Sequence, residues 1–208
     1  MKFKNTGNTP LGIYPLVDRA YKLEILYLLG ITTAQLRIKD LKNKELENEI
    51  IHAIKTSEKY NSRLFINDHW QLAIQYEAYG IHLGQEDLIE SDLKAIYDAG
   101  IRLGISTHTT KEIEMALEIS PSYLAIGPIF KTQSKLVNYE TVGIDELRKW
   151  SSHVDYPIVA IGGINLDNIE EIINTPNVDG IAMISELLKN GEISEKKIKK
   201  LLELFSKH

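Results

Sequence analysis

The chain of 208 residues contains no cysteine. Disulfides, thiolate zinc centres and a cysteine nucleophile are thereby excluded. It has no surplus of positive charge: 24 Lys and Arg stand against 29 Asp and Glu, for a formal net charge of −5. A general nucleic-acid binder would carry a basic face, so no nucleic-acid partner is expected. No apolar run approaches the roughly 20 residues of a membrane-spanning helix. Residues 1–10 are polar and lack the apolar centre of a signal peptide. We expect a soluble, cytoplasmic protein with no membrane partner. Neither an HExxH spacing nor a Ser-His-Asp order is present, so a histidine metal site and a hydrolase triad are not expected.

What is present is ordinary in amount: 43% hydrophobic and 25% charged residues, enough to bury a core without staples. The order is more telling. Short apolar runs lie at 12–17, 33–38, 64–66, 80–83, 101–105, 123–129, 157–161 and 180–184. They are continuous and rich in Ile, Leu and Val, as strands buried on both faces are. Between them apolar residues recur at helical spacing, as in Leu46, Ile50, Ala53 and Ile54, or Ile113, Ala116 and Leu117. Thr109 with Glu112 reads as a capping box. Asn165 reads as a cap before Ile169, Ile172 and Ile173. Ile198, Leu201, Leu202 and Phe205 share one face of a last helix. Strand and helix alternating eight times predict a parallel sheet closed into a single-domain (β/α)₈ barrel over 1–208, with a short polar N-terminal extension at about 1–10. The rival is an open doubly wound sheet. Its glycine-rich turn after the first strand is missing, since Val17, Asp18, Arg19 and Ala20 stand there.

In a barrel the chemistry gathers at the C-terminal ends of the strands. The second run carries Gln35, Arg37 and Lys39 at alternate positions, so they share one face. Pointed inward they need a ligand to satisfy them, and Arg and Lys suit phosphate oxygens; an exposed edge strand with a solvated face is the other reading. The third run ends in Asn67-Asp68 and the fourth in Gly84-Gln85-Glu86-Asp87. Two carboxylates on neighbouring strand ends suit Mg²⁺, which keeps several waters and takes substrate oxygens. The alternative is that both Asp residues only cap the helices that follow. The fifth run ends in Ser106-Thr107-His108. The sixth leads into a polar loop with Lys131, Thr132, Ser134 and Lys135, either an anion clamp or simply a loop. After the seventh come Gly162 and Gly163, and after the eighth Ser185. Glycines there can bring backbone N–H groups to a phosphate, or can serve a turn that needs positive φ. His82 reads as a satisfied core residue, His52, His153 and His208 as surface, and His108 as a residue within reach of a substrate.

These motifs, taken together and in order, resemble the thiamine phosphate synthase family. The set is Gln35 to Asp40, Leu64 to Asp68, Gly80 to Leu88, Leu103 to His108, Gly127 to Lys135 and Val159 to Ile164. The resemblance spans roughly 12–188 and implies a (β/α)₈ barrel. It implies a transferase that joins hydroxymethylpyrimidine diphosphate to hydroxyethylthiazole phosphate, with a carboxylated thiazole phosphate as a variant substrate. The products would be thiamine phosphate and diphosphate. Departure of diphosphate would precede capture of the pyrimidine methylene cation by the thiazole nitrogen. Such a step needs charge neutralised on the leaving group rather than a strong base.

Carried over by motif, Gln35, Arg37, Lys39, Asn67 and Ser106 would hold the pyrimidine diphosphate, and Asp68 and Asp87 would ligate Mg²⁺. Thr132, Ser134, Gly163, Ile184 and Ser185 would receive the thiazole phosphate, and Lys135 would contact the diphosphate. Arg37, Lys39, Ser106 and Lys135 would be the catalytic groups. Three positions depart from the family pattern. Ile38 replaces a common Glu, Lys131 a common Pro and Ser134 a common Thr. Ile38 should point away from the ligand. A thiazole tautomerase-like enzyme and a non-catalytic phosphate-ligand sensor remain the alternatives; the acidic pair argues against both. The surface leaves a homo-oligomer open, and 131–141 is the expected closing loop.

Overall fold

Strands that are apolar on both faces need cover on both sides, and this chain supplies it by closing the sheet. The computed structural model describes residues 1–132, 140–189 and 191–206. Eight parallel strands follow one another around a closed barrel: β1 (Gly12–Val17), β2 (Thr33–Leu36), β3 (Arg63–Asn67), β4 (Gly80–Leu83), β5 (Arg102–Thr107), β6 (Tyr123–Ile126), β7 (Ile158–Ile161) and β8 (Gly180–Met183). β8 returns to pair with β1 through Gly12 to Pro15. The open doubly wound sheet is therefore excluded, and β2 has no free edge.

Helices cover the outside. They are α1 (Tyr21–Leu28), α2 (Asn43–Lys59), α3 (Trp70–Gln75), α4 (Gln85–Glu90), α5 (Leu93–Asp98), α6 (Thr110–Ile119), α7 (Gly143–His153), α8 (Ile169–Ile173) and α9 (Glu195–Phe205). The spacing in α2 is realised: Leu46, Ile50, Ala53 and Ile54 are all buried. At α6 the Thr109 side chain accepts from the Glu112 N–H. The Glu112 carboxylate reaches one residue further back than in a standard box, to the His108 N–H at 2.6 Å. Asn165 does not cap α8 directly. Its side chain accepts from the Asp167 N–H, two residues on, and Asn168 holds the cap position. After β8 a 3₁₀ turn (Ser185–Leu187) leads to a small antiparallel pair, β9 (Leu188–Lys189) and β10 (Glu192–Ile193).

β2 and β6 are shorter than the apolar runs that announce them. β6 stops before a cis Gly127–Pro128 bond, where proline has no N–H for a ladder.

The core has two compartments. One lies between barrel and helices and takes the outward strand residues, including Ile13, Leu36, Ile38, Leu64 and Ile66. Ile38 thus points away from the barrel lumen. The other fills the lumen with Leu11, Tyr14, Leu16, Phe65, Tyr123, Ala125, Val159 and Ala182. Phe65 sits edge-on to Tyr123 at 5.0 Å and to Tyr79 at 5.4 Å. A Cβ on Gly104 would overlap the Tyr123 ring, so glycine on β5 is what lets that ring lie across the lumen.

Residues 1–10 do not trail away as a solvated extension. Phe3 and Thr6 are buried. Arg63 donates to the Thr9 carbonyl at 2.9 Å and the Pro10 carbonyl at 2.6 Å. Arg102 donates to the Asn5 carbonyl at 2.7 Å, and the Tyr79 hydroxyl to the Thr6 carbonyl at 2.9 Å. Arg63 and Arg102 start β3 and β5, so this segment closes the N-terminal end of the barrel. No helix among the described residues is long and apolar enough to cross a membrane.

Candidate active site

Because alternate residues of each strand face the lumen, the last inward residues of the strands meet above the core. They line a cavity of about 320 Å³. Tyr14, Leu16, Gln35, Arg37, Lys39, Asn67, His82, Ser106, Tyr123 and Ile184 all contribute to it, along with Thr132 at the rim. The expected inward face of β2 and its continuation is realised. Gln35 is buried, Arg37 half-buried and Lys39 exposed, so polarity and charge rise from floor to mouth.

Asp68 and Asp87 come together at this mouth. Asp68 forms an ion pair with Lys39, and its side chain is only 14% exposed. Burial pushes the Asp87 carboxyl above the usual carboxylate range, and the Asp68 carboxylate beside it pushes it further. Helix capping does not account for either residue. The cap positions of α3 and α4 are His69 and Gly84, and neither makes a side-chain capping bond. Asp68 also adopts a left-handed backbone, φ 65°, a conformation that Asp tolerates better than most residues. Among the described residues no group of three or more His, Asp and Glu could hold a metal; the acidic cluster is a pair.

A second cleft of about 280 Å³ adjoins the first. Thr132, Gly163, Ile184 and Ser185 line it, with Lys131 and Asn165. Gly162 and Gly163 have φ of 97° and 71°, and Cβ atoms there would strike Pro128 and Phe130. The turn thus needs glycine for its own geometry, whatever it binds. Ser134 and Lys135 lie outside the described residues, as does most of the expected closing loop. Its two ends are tied: the Val142 N–H donates to the Pro128 carbonyl at 2.8 Å.

His108 lines the cavity too. Its Nδ1 meets the Gly127 carbonyl at 2.5 Å; a carbonyl only accepts, so Nδ1 carries the proton. His52 and His153 are exposed as expected, and His208 lies outside the described residues. His82 is buried and satisfied, but it does more than fill space. Its Nε2 lies 2.8 Å from Ser106 Oγ and its Nδ1 2.7 Å from the Tyr123 hydroxyl, which is 2.9 Å from the Tyr14 hydroxyl. A reading of the C-terminal strand ends does not single out Tyr14 and Tyr123, because Tyr14 sits mid-strand and Tyr123 at the start of β6. Two-residue alternation extended down from Ser106 and across each apolar run would have found them.

Comparison with known proteins identifies the family. The family model for thiamine monophosphate synthase matches residues 16–187. The thiamine-phosphate synthase of Proteus mirabilis is 47% identical over 195 residues, covering 93% of this chain and 90% of that protein. That of Salmonella dublin is 49% identical over 186 residues, covering 88% and 86%. A solved structure, thiamine phosphate pyrophosphorylase from Pyrococcus furiosus, superposes with a TM-score of 0.83 at 27% identity, covering 95% of this chain and 96% of that one. The chain belongs to the thiamine monophosphate synthase family of transferases.

Proposed function

We propose that the protein condenses hydroxymethylpyrimidine diphosphate with hydroxyethylthiazole phosphate, or with its carboxylated form with additional loss of CO2, to give thiamine phosphate and diphosphate. The observation that carries this reading is the paired cavity: a deep lumen ending in Arg37, Lys39 and two adjoining carboxylates, beside a glycine-lined cleft at β7 and β8. The deep cavity suits a flat ring at its floor and an anionic tail at its mouth. The adjoining cleft suits a monophosphate held by Thr132, Gly163 and Ser185. The sequence motif adds Ser134 to this cleft and Lys135 to the diphosphate.

Asp68 and Asp87 fit a divalent cation. They are two adjoining carboxylates, the ionisation of Asp87 made costlier by Asp68 beside it, and Asp68 already pairs with the Lys39 ammonium. They would hold Mg²⁺, which when bound neutralises charge on the diphosphate oxygens. Lys39 would then be free to turn from Asp68 to the diphosphate. Arg37, with its planar fork, binds the same group. Gln35, Asn67 and Ser106 hold the ring in line. The C–O bond between the methylene carbon and diphosphate breaks with its electron pair going to oxygen, and the thiazole nitrogen lone pair forms the C–N bond. The walls Leu16, Ala125 and Val159 keep water from the cation. No general base is required.

The test is direct. Purified protein with Mg²⁺ and both substrates should yield thiamine phosphate by mass, with diphosphate released stoichiometrically. No product with any divalent metal would overturn the reading and favour a tautomerase-like or sensor role.

A further inference from the structure

The floor of the cavity holds a chain of hydrogen bonds drawn from four strands, β1, β4, β5 and β6. Gln35 on β2 lies beside Tyr14 on β1 in the cavity lining. Tyr14 reaches Tyr123 on β6, Tyr123 reaches His82 on β4, and His82 reaches Ser106 on β5. Tyr14 and Tyr123 are 1% and 0% exposed, Gln35 3% and His82 5%, so water does not satisfy these groups from outside. Both phenols stay protonated, because burial pushes each far above its ordinary value.

The direction of the chain follows from which atom is left over. Gln35 Oε1 is buried and has no hydrogen-bond partner among the described residues. That oxygen takes no proton from Tyr14, so the Tyr14 hydroxyl proton turns to its hydrogen-bond neighbour among the described residues, the Tyr123 oxygen. The Tyr123 proton turns to His82 Nδ1. With Nδ1 accepting, Nε2 carries the ring proton and donates to Ser106 Oγ. The Ser106 hydroxyl proton is left to point into the cavity.

We infer that Tyr14, Tyr123 and His82 are positioning residues that fix the polarity of the cavity floor, so that Ser106 donates to the ligand ring while Gln35 Oε1 accepts from it. The ring that fits is a nitrogen heterocycle bearing an amino group: a ring nitrogen lone pair for Ser106 and an amino N–H for Gln35. A ring lacking either group would leave a buried polar atom unpaired. None of the three positioning residues needs to touch the ring for this selection to act. The assignment of that ring to the deep cavity rests on the proposed function; the internal direction of the chain does not.

Two measurements separate these. The first uses the intact protein labelled with ¹⁵N-histidine and needs no substrate. His82 should show the Nε2-protonated neutral tautomer, and Tyr123→Phe should shift it toward a mixture. An Nδ1-protonated His82 in the unmodified protein would overturn the inference. The second compares the aminopyrimidine diphosphate with analogues in which each ring nitrogen in turn is replaced by CH. One analogue should be disfavoured about 100-fold in kcat/KM by the unmodified protein. Tyr123→Phe and Ser106→Ala should reduce that ratio to within about threefold, with KM for the thiazole phosphate nearly unchanged. Tyr14→Phe, which leaves the His82 contact in place, should lie between. Full discrimination retained in folded Tyr123→Phe would overturn the relay. An unmodified protein with the expected tautomer but no turnover would instead overturn the proposed function.

Discussion

At the scale of single residues, the acidic pair is a place where function and stability pull apart. The folded-state pKa of Asp87 is raised, by burial first and by Asp68 second. A raised carboxyl favours folding below its unfolded value, about 3.9, and that contribution is lost as pH rises through the folded value. At neutral pH the ionised group therefore opposes folding. In metal-free buffer Asp87→Asn should raise Tm at pH 7, and the difference should fade as pH falls below about 4, as a melting series across pH would show. The same variant, and Asp87→Ala, should lower kcat by about 100-fold or more while thiazole phosphate binding, followed by calorimetry, changes little. Equal loss of both would remove Asp87 from the leaving-group side. Gly104→Ala makes the opposite kind of case: the added methyl meets the Tyr123 ring. Overpacking there should cost about 1–3 kcal/mol, and because the ring must shift, KM for the pyrimidine substrate should rise with it. Denaturant unfolding and steady-state kinetics on one preparation check both.

At the scale of elements, local signals announced α2, α6, α8 and α9 but not α4 and α5. α2 has 17 residues and shows its buried stripe in sequence. α4 and α5, six residues each, bury no residue and one residue respectively, so no apolar stripe announces them. α5 is nonetheless capped: the Asp92 side chain accepts from the Ala95 N–H at 2.9 Å. Asp92→Ala should therefore destabilise the fold by about 1 kcal/mol and leave turnover untouched, a pairing that chemical denaturation and an activity assay can confirm or refute. The site was legible where one strand carried its own pattern, as Gln35, Arg37 and Lys39 do. It was not legible where the meaning lies between strands. His82 beside Tyr123 depends on the registers of β4, β5 and β6, which no single run encodes, so His82 read only as a core residue. For Gly162 and Gly163 sequence gave two readings, and the positive φ values establish the turn requirement while phosphate binding stays with the proposed function.

At the scale of the whole molecule, closure of the barrel came from counting alternations, but the use of residues 1–10 did not. Backbone carbonyls make most of that segment's contacts to Arg63, Arg102 and Tyr79, with the Thr9 hydroxyl adding one to Arg63. Removing residues 1–9 would expose Phe3's site and strip two half-buried guanidinium groups of acceptors. A loss of about 3–6 kcal/mol in stability is expected, with turnover at low temperature preserved because the cavity opens at the other end. Thermal unfolding of the truncated chain beside an assay at 10–15 °C (a range of about this width suffices) separates the two effects.

That plugged end gives the lumen the traffic rules of a dead-end street. Whatever sits against Gln35 and Ser106 arrives first and leaves last, since the floor of Phe65, Tyr79 and the N-terminal segment offers no back door. Among the described residues, a molecule in the glycine-lined cleft parks beside the mouth of that street.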